Sequence, residues 1–241
     1  MRILSIGNSF SQDATRYLHD IAKADGVELQ AANLYIGGCP LEQHYRNMQS
    51  GKKDYELQFD GHMTGFYVSM DEALLSRQWD VVTLQQQSSR SCRYETFQPY
   101  LQELAEYVRK CQPQAKILMH QTWAYEDGSS MLHNVAGYET AGAMLADIRS
   151  AYAQAAESIR ADGLIPSGEL MGKMARAGMT IHRDTFHASL GAGRYALGLL
   201  WFRMLTGRSV AQNPFRNFAE PIEQATVARI KAFVDEFPPI F

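Results

Sequence analysis

Apolar positions along the chain fall into short strand-like runs separated by stretches of helical spacing. "RILSI" (2–6), "LQAANLY" (29–35), "DVVTLQ" (80–85), "AKILMHQ" (115–121) and "GLIP" (163–166) read as strands. The third is rich in the β-branched residues that suit a pleated surface. Within 13–24, Ala14, Leu18, Ile21 and Ala22 recur at helical intervals, and helical patterns also cover 94–111, 137–161, 189–206 and 220–235. Strands alternating with helices predict a three-layer α/β/α sandwich, its parallel sheet flavodoxin-like in strand order with about five strands. Residues 51–77 break the alternation, and "YELQF" and "GFYVSM" there predict a hairpin inserted between a helix and the third strand. No Pro/Gly/Ser-rich linker, charge run or internal repeat divides the 241 residues, so the whole span 1–241 is expected to form one domain.

Composition narrows the function. With 46% hydrophobic and 20% charged residues the chain has an ordinary globular balance. A net charge of −3 and basic clusters no longer than Lys52-Lys53 exclude the one-sided basic footprint of a nucleic-acid binder. The longest apolar run, "YALGLLWF" (195–202), falls well short of the roughly twenty residues of a membrane span and reads as a buried helix face. A small molecule is therefore the expected partner, with neither nucleic acid nor membrane. The first strand begins almost at Met1, leaving no room for a leader, so the chain as given reads as cytoplasmic. Removal of an upstream leader would instead make it secreted or periplasmic. Cys39, Cys92 and Cys111, an odd count without a CxxC pair, read as reduced thiols and not as a disulfide framework or a zinc site.

A doubly wound sheet binds ligands at the carboxyl ends of its strands. The loops expected there are "GNSFSQD" after the first strand, "IGGCPLEQH" (36–44) after the second and "QQQSSRS" (85–91) after the third. "IHRDTFHASLG" (181–191) joins them after the fifth strand and a short helix. They bring a serine, a glycine pair, a cluster of amides and an Asp-x-x-His to one edge of the sheet. A serine hydroxyl attacks only when a base takes its proton, and histidine suits that task. A carboxylate then fixes the tautomer of the imidazole. Asp184 and His187, three apart in a loop that opens a helix, can turn toward one point. The backbone amides of Ser9 and Gly38, with a side-chain amide from the glutamines, would complete an oxyanion hole. Gly38 suits this because a residue without Cβ lets the backbone approach a ligand closely.

Plainer roles stand beside these. Taken alone, Ser9 reads as an ordinary helix N-cap, Gly37-Gly38 as a tight turn, and Asp184 and His187 as a cap and a surface histidine. Asp13 reads as a solvated acid in the first turn of a helix. Cys39 reads as a small buried residue and not as a nucleophile. Arg90 and Arg93 read as solvated loop residues. His182 adds to "HRDTFH" a set of zinc-ligand types, but no second cluster completes a metal site. Trp123 and Tyr125, in "QTWAYED" after the fourth strand, either stack on a sugar at the cleft rim or pack in the core.

"GNSFS", "GGCPL" and "DTFH", spread from residue 7 to residue 187, resemble in order and spacing the blocks of the GDSL/SGNH hydrolase superfamily. The resemblance implies Ser9 as nucleophile, Gly38 as an oxyanion donor, and Asp184 and His187 as the other triad members. Asn8 stands where Asp is usual, a departure expected to affect support of the loop more than the triad. The third block, "LQQQSS", departs from the usual Gly-x-Asn-Asp. It is closer to the "QGES"-like block of the branch containing sialic-acid and acetylxylan O-acetylesterases, and to bacterial SGNH-like domains with an "LQ" block. That alignment puts Gln85 on the family's glutamine and Gln87 on its glutamate, and makes both candidates for the oxyanion hole. An α/β-hydrolase is set aside because Ser9 follows the first strand and Ser11 replaces the last glycine of G-x-S-x-G. The resemblance implies ester hydrolysis through an acyl-enzyme, without cofactor or metal. The expected substrate is a small acyl ester, an O-acetylated carbohydrate first, with lipid or thioester substrates behind. A non-catalytic protein holding a sugar or phosphate at the same helix N-terminus is the competing class, though it has no need for a paired acid and histidine.

Overall fold

The computed structural model describes residues 1–241. Its strands are β1 (Arg2–Gly7), β2 (Gln30–Tyr35), β3 (Tyr55–Phe59), β4 (His62–Val68), β5 (Val81–Leu84), β6 (Lys116–His120) and β7 (Gly163–Ile165). They form a single sheet in the order β4-β3-β2-β1-β5-β6-β7. β2, β1, β5, β6 and β7 run parallel, with Ile3 opposite both Ala31 and Val81. This segment carries the flavodoxin-like order expected from the sequence. β1 after Arg2 and β5 throughout are buried on both faces, the usual condition of central parallel strands.

The sheet has seven strands where the sequence suggested about five, because the 51–77 hairpin continues it. β3 pairs antiparallel with β2, and β4 with β3. Asp60 and Gly61 connect them with φ of 48° and 80°, the positive pair of a type I′ turn. Asp60 also accepts a hydrogen bond from Ala31 N–H at 2.8 Å, which ties the hairpin to β2.

The helices are α1 (Ser9–Thr15), α2 (Leu18–Ala24), α3 (Leu41–Ser50), α4 (Met70–Leu75), α5 (Tyr100–Cys111), α6 (Ala141–Ser158), α7 (Ser167–Arg176), α8 (Ala192–Thr206) and α9 (Gln224–Asp235). α8 packs against α1, α2, α7 and α9, and α3, α4 and α5 pack against one another. Several expected helices are shorter or divided. The helix read over 13–24 is two helices, and the first starts at Ser9 because Asn8, not Ser9, caps it: the Asn8 side chain accepts from Phe10 N–H at 3.0 Å. The stretch 94–111 opens with a 3₁₀ turn over Tyr94–Phe97, and 137–161 becomes α6 after a π-helical turn over Met131–Ala136. α4 lies inside the stretch read only as a hairpin, where Ser69 and Glu72 form a reciprocal capping box. α8, whose apolar run was read as a buried face, is buried on nearly all sides between its neighbours. No helix is long and apolar enough to cross a membrane.

Candidate active site

Ser9 is the first residue of α1, where the chain leaves β1 and amide hydrogens have no intrahelical partner. Its Oγ lies 2.8 Å from His187 Nε2. His187 Nδ1 lies 2.8 Å from Asp184 Oδ2, and Asp184 Oδ1 accepts from the His187 backbone N–H at 2.9 Å. Two bonds to one carboxylate fix both the ring plane and the loop carrying it. The ring therefore carries its hydrogen on Nδ1 and presents a lone pair to the Ser9 hydroxyl. Phe186 covers His187, with ring centroids 3.9 Å apart. Burial raises the Asp184 carboxyl, but hydrogen bonds from the His187 ring and backbone, with the nearby Arg183 charge, outweigh it and hold the group below its ordinary value.

Ser9, Phe186 and His187 face a cavity of about 380 Å³, bordered also by Gly38, Gln87, Tyr125 and Arg183. Gly38 sits at φ +62° in a turn closed by a hydrogen bond from Cys39 N–H to Ile36 O at 3.2 Å. A Cβ there would meet nothing within 4 Å, so the backbone conformation and not lack of space calls for glycine.

The three glutamines that end β5 do different things. Gln87 borders the cavity. Gln86 is buried, its Oε1 accepting from Leu41 N–H and Gln87 N–H at 3.0 and 2.8 Å, so it fixes the start of α3. Gln85 is also fully buried, with Nε2 donating to Asn8 Oδ1 at 2.8 Å and Oε1 accepting from Ser11 O–H at 2.6 Å. Its amide is used inside the protein, which corrects its assignment as an oxyanion donor.

Other expectations change too. Trp123 is fully buried, packed on Phe10 at 4.1 Å and donating Nε1–H to Phe186 O at 2.8 Å; it supports the site from below and does not reach a rim. Tyr125 is buried but borders the cavity, its hydroxyl 2.8 Å from Ser88 Oγ. Cys39 is buried, and burial pushes its thiol up to about 12, which removes it as a nucleophile. His182 turns Nε2 to Ala124 O at 3.0 Å, away from the Asp184–His187 pair, and no three metal-ligating side chains gather. Arg90 pairs with Glu42 at 3.3 Å at the border of an adjoining cavity, so it is not simply solvated.

Asp13 is the largest departure. Expected in solvent, it has 0% exposure. Its carboxylate accepts from Arg183 Nη1 at 3.0 and 3.1 Å, from Arg194 Nε at 2.8 Å and from Ala188 N–H at 3.0 Å. It thereby clamps the Asp184–His187 loop to the helix that carries Ser9. The available signal was spacing: Asp13 lies four residues after Ser9, one helical turn on, between the apolar positions Phe10 and Ala14. Arg183, immediately before Asp184, was missed altogether. Thr185 in the same loop takes φ +74°, which its branched side chain disfavours and which Glu126 N–H secures by bonding its carbonyl at 2.8 Å.

The sheet order and these loops at one end of it define the SGNH hydrolase fold. Residues 2–235 match the family described as Domain of unknown function (DUF4886), and the chain belongs to that family. A DUF4886 family protein from Bacteroides uniformis is 32% identical, with 98% of this chain and 93% of that one covered and a TM-score of 0.89. The fold is also similar to that of a candidate SGNH hydrolase from Slackia heliotrinireducens, at 22% identity, 84% and 97% coverage and TM-score 0.60. An acetylxylan esterase from Geobacillus stearothermophilus shares it at 15% identity, 84% and 92% coverage and TM-score 0.51. No curated protein matches.

Proposed function

We propose that the protein is a serine esterase that removes a small acyl group, foremost an O-acetyl group on a carbohydrate, through an acyl-enzyme. The observation that carries this reading is the unbroken line from Ser9 Oγ to His187 to Asp184, 2.8 Å at each step, opening on a cavity. A cap, a turn and a surface histidine would not require that alignment.

In the first half-reaction, Ser9 Oγ bonds to the ester carbonyl carbon as its proton passes to His187 Nε2. Asp184 stabilises the imidazolium so formed. The carbonyl oxygen becomes an oxyanion held by Ser9 N–H, Gly38 N–H and the Gln87 side-chain amide. Collapse breaks the ester C–O bond, and His187 returns the proton to the departing alkoxide. Water then repeats the sequence on the acyl-Ser9 ester, releasing the acid and restoring the hydroxyl.

The carbohydrate assignment rests on polarity. The Gly37-Gly38 turn separates the catalytic cavity from a second one of about 480 Å³ bordered by Glu42, Arg46, Asp54 and Arg90. Polar and charged side chains of that kind suit an alcohol rich in hydroxyls better than a lipid tail. The test is a panel of p-nitrophenyl esters and O-acetylated monosaccharides, assayed with wild type and Ser9→Ala. Preference for acetate, lost in Ser9→Ala, is expected; equal turnover by the two proteins would end this reading.

A further inference from the structure

Beneath the nucleophile lies a row of polar side chains, each with at most 1% exposure, that the proposed reaction does not use directly. Ser167 Oγ lies 3.1 Å from His120 Nε2, and His120 Nδ1 lies 3.0 Å from Gln85 Oε1. Gln85 Nε2 donates to Asn8 Oδ1 at 2.8 Å, and Asn8 Nδ2 donates to Cys39 O at 3.1 Å.

The chemistry gives this row one direction. Asn8 Oδ1 accepts from Phe10 N–H while Nδ2 faces a backbone carbonyl, so the main chain fixes how the Asn8 amide lies. Gln85 must then present its NH₂ to Asn8 and its oxygen to His120 and Ser11. A carbonyl oxygen only accepts, so His120 carries its hydrogen on Nδ1 and accepts at Nε2 from the Ser167 hydroxyl. Complete burial keeps the ring neutral, its pKa pushed down to about 3.

We propose that His120, Gln85 and Asn8 are positioning residues that hold the Gly38–Cys39 turn against Ser9 and so set the spacing of the two backbone oxyanion donors. Asn8 is the joint: its backbone leads into Ser9, and its side chain holds the carbonyl of the residue after Gly38. Gln86 secures the far end of the same segment at Leu41 N–H. Donors aligned before the reaction stabilise a developing oxyanion without reorganising, so small errors in this spacing act on kcat. The proposal rests on the esterase reading, and its test separates the two.

Nitrogen-15 NMR of the wild-type protein reads the His120 tautomer without any turnover. Protonated Nδ1 with bare Nε2 is expected; hydrogen on Nε2 would overturn the chain. Gln85→Met and His120→Phe are then assayed singly and together on a Ser9-dependent ester. Each is expected to lower kcat about tenfold with KM within about threefold, and the pair to lose no more than either alone, because they act through one line of bonds. Losses that multiply, or that fall on KM, would overturn the positioning role. Activity undiminished in Ser9→Ala would overturn the esterase reading, while the tautomer still decides the chain.

Discussion

Asp13 and Arg183 are 170 residues apart in sequence, yet Arg183 Nη1 reaches both carboxylate oxygens of Asp13, at 3.0 and 3.1 Å, where the carboxylate has no exposure to solvent. Removing Asp13 leaves two partly buried guanidinium groups without their carboxylate. Asp13→Ala is expected to cost about 3 kcal/mol, because two guanidinium groups and Ala188 N–H lose their acceptor. For a chain of this length that is a fall in Tm of roughly 6–12 °C, readable by differential scanning calorimetry. A variant melting with wild type would show that the clamp does not hold the loop.

Gln87 is the glutamine whose surroundings suit an oxyanion donor. Gln87→Ala is expected to lower kcat by about 10²-fold with KM little changed, the pattern of an interaction made in the transition state. A rise in KM at constant kcat would reassign Gln87 to substrate binding.

The parallel core was legible because β1, β5 and β6 are short apolar runs followed by polar loops, and chain order with right-handed crossovers leaves few ways to stack them. Ser9, Gly38, Asp184 and His187 were legible because their loops had to share one edge of that sheet, and they do border or adjoin one cavity. What sequence could not supply was the direction of individual side chains. "QQQ" offered three equivalent amides, and only the packing around the end of β5 gives Gln85 and Gln86 different partners and leaves Gln87 at the cavity. Asp13 looked like a solvated helix acid because its two arginine partners lie near residue 190, on the far side of the chain in sequence. The edge hairpin was read as an insertion because pairing of β3 with β2 is a long-range contact without a local signal.

Gly7 marks how closely β1 and α1 approach. A Cβ there would collide with Ser11 Oγ and lie 2.9 Å from Ser11 Cβ and 3.2 Å from Gln85 Oε1. Gly7→Ala is expected to destabilise by about 1–3 kcal/mol through overpacking, and to disturb the Ser11–Gln85 bond beneath Ser9. Urea unfolding measures the first effect; an unchanged midpoint would mean that the junction relaxes freely.

Acid stability should reflect two buried histidines. Burial pushes His44 and His120 down to about 3, so both stay neutral in the fold over a range in which the unfolded chain takes up protons near pH 6.5. Between those values the unfolded state binds more protons, so stability is full above about pH 6.5 and falls as pH drops toward 3. Each ring contributes a slope of about 1.4 kcal/mol per pH unit. His44→Phe should remove one ring's share from the slope measured by urea unfolding between about pH 6 and 4. An unaltered slope would contradict neutral burial of His44.

A Ser9 hydroxyl activated by His187 should react with a fluorophosphonate, and mass spectrometry of the treated protein locates the adduct. One adduct is expected, on the peptide containing Ser9, absent in Ser9→Ala and formed far more slowly in His187→Ala. Failure of wild type to form that adduct, or labelling confined to another residue, would contradict a nucleophilic Ser9.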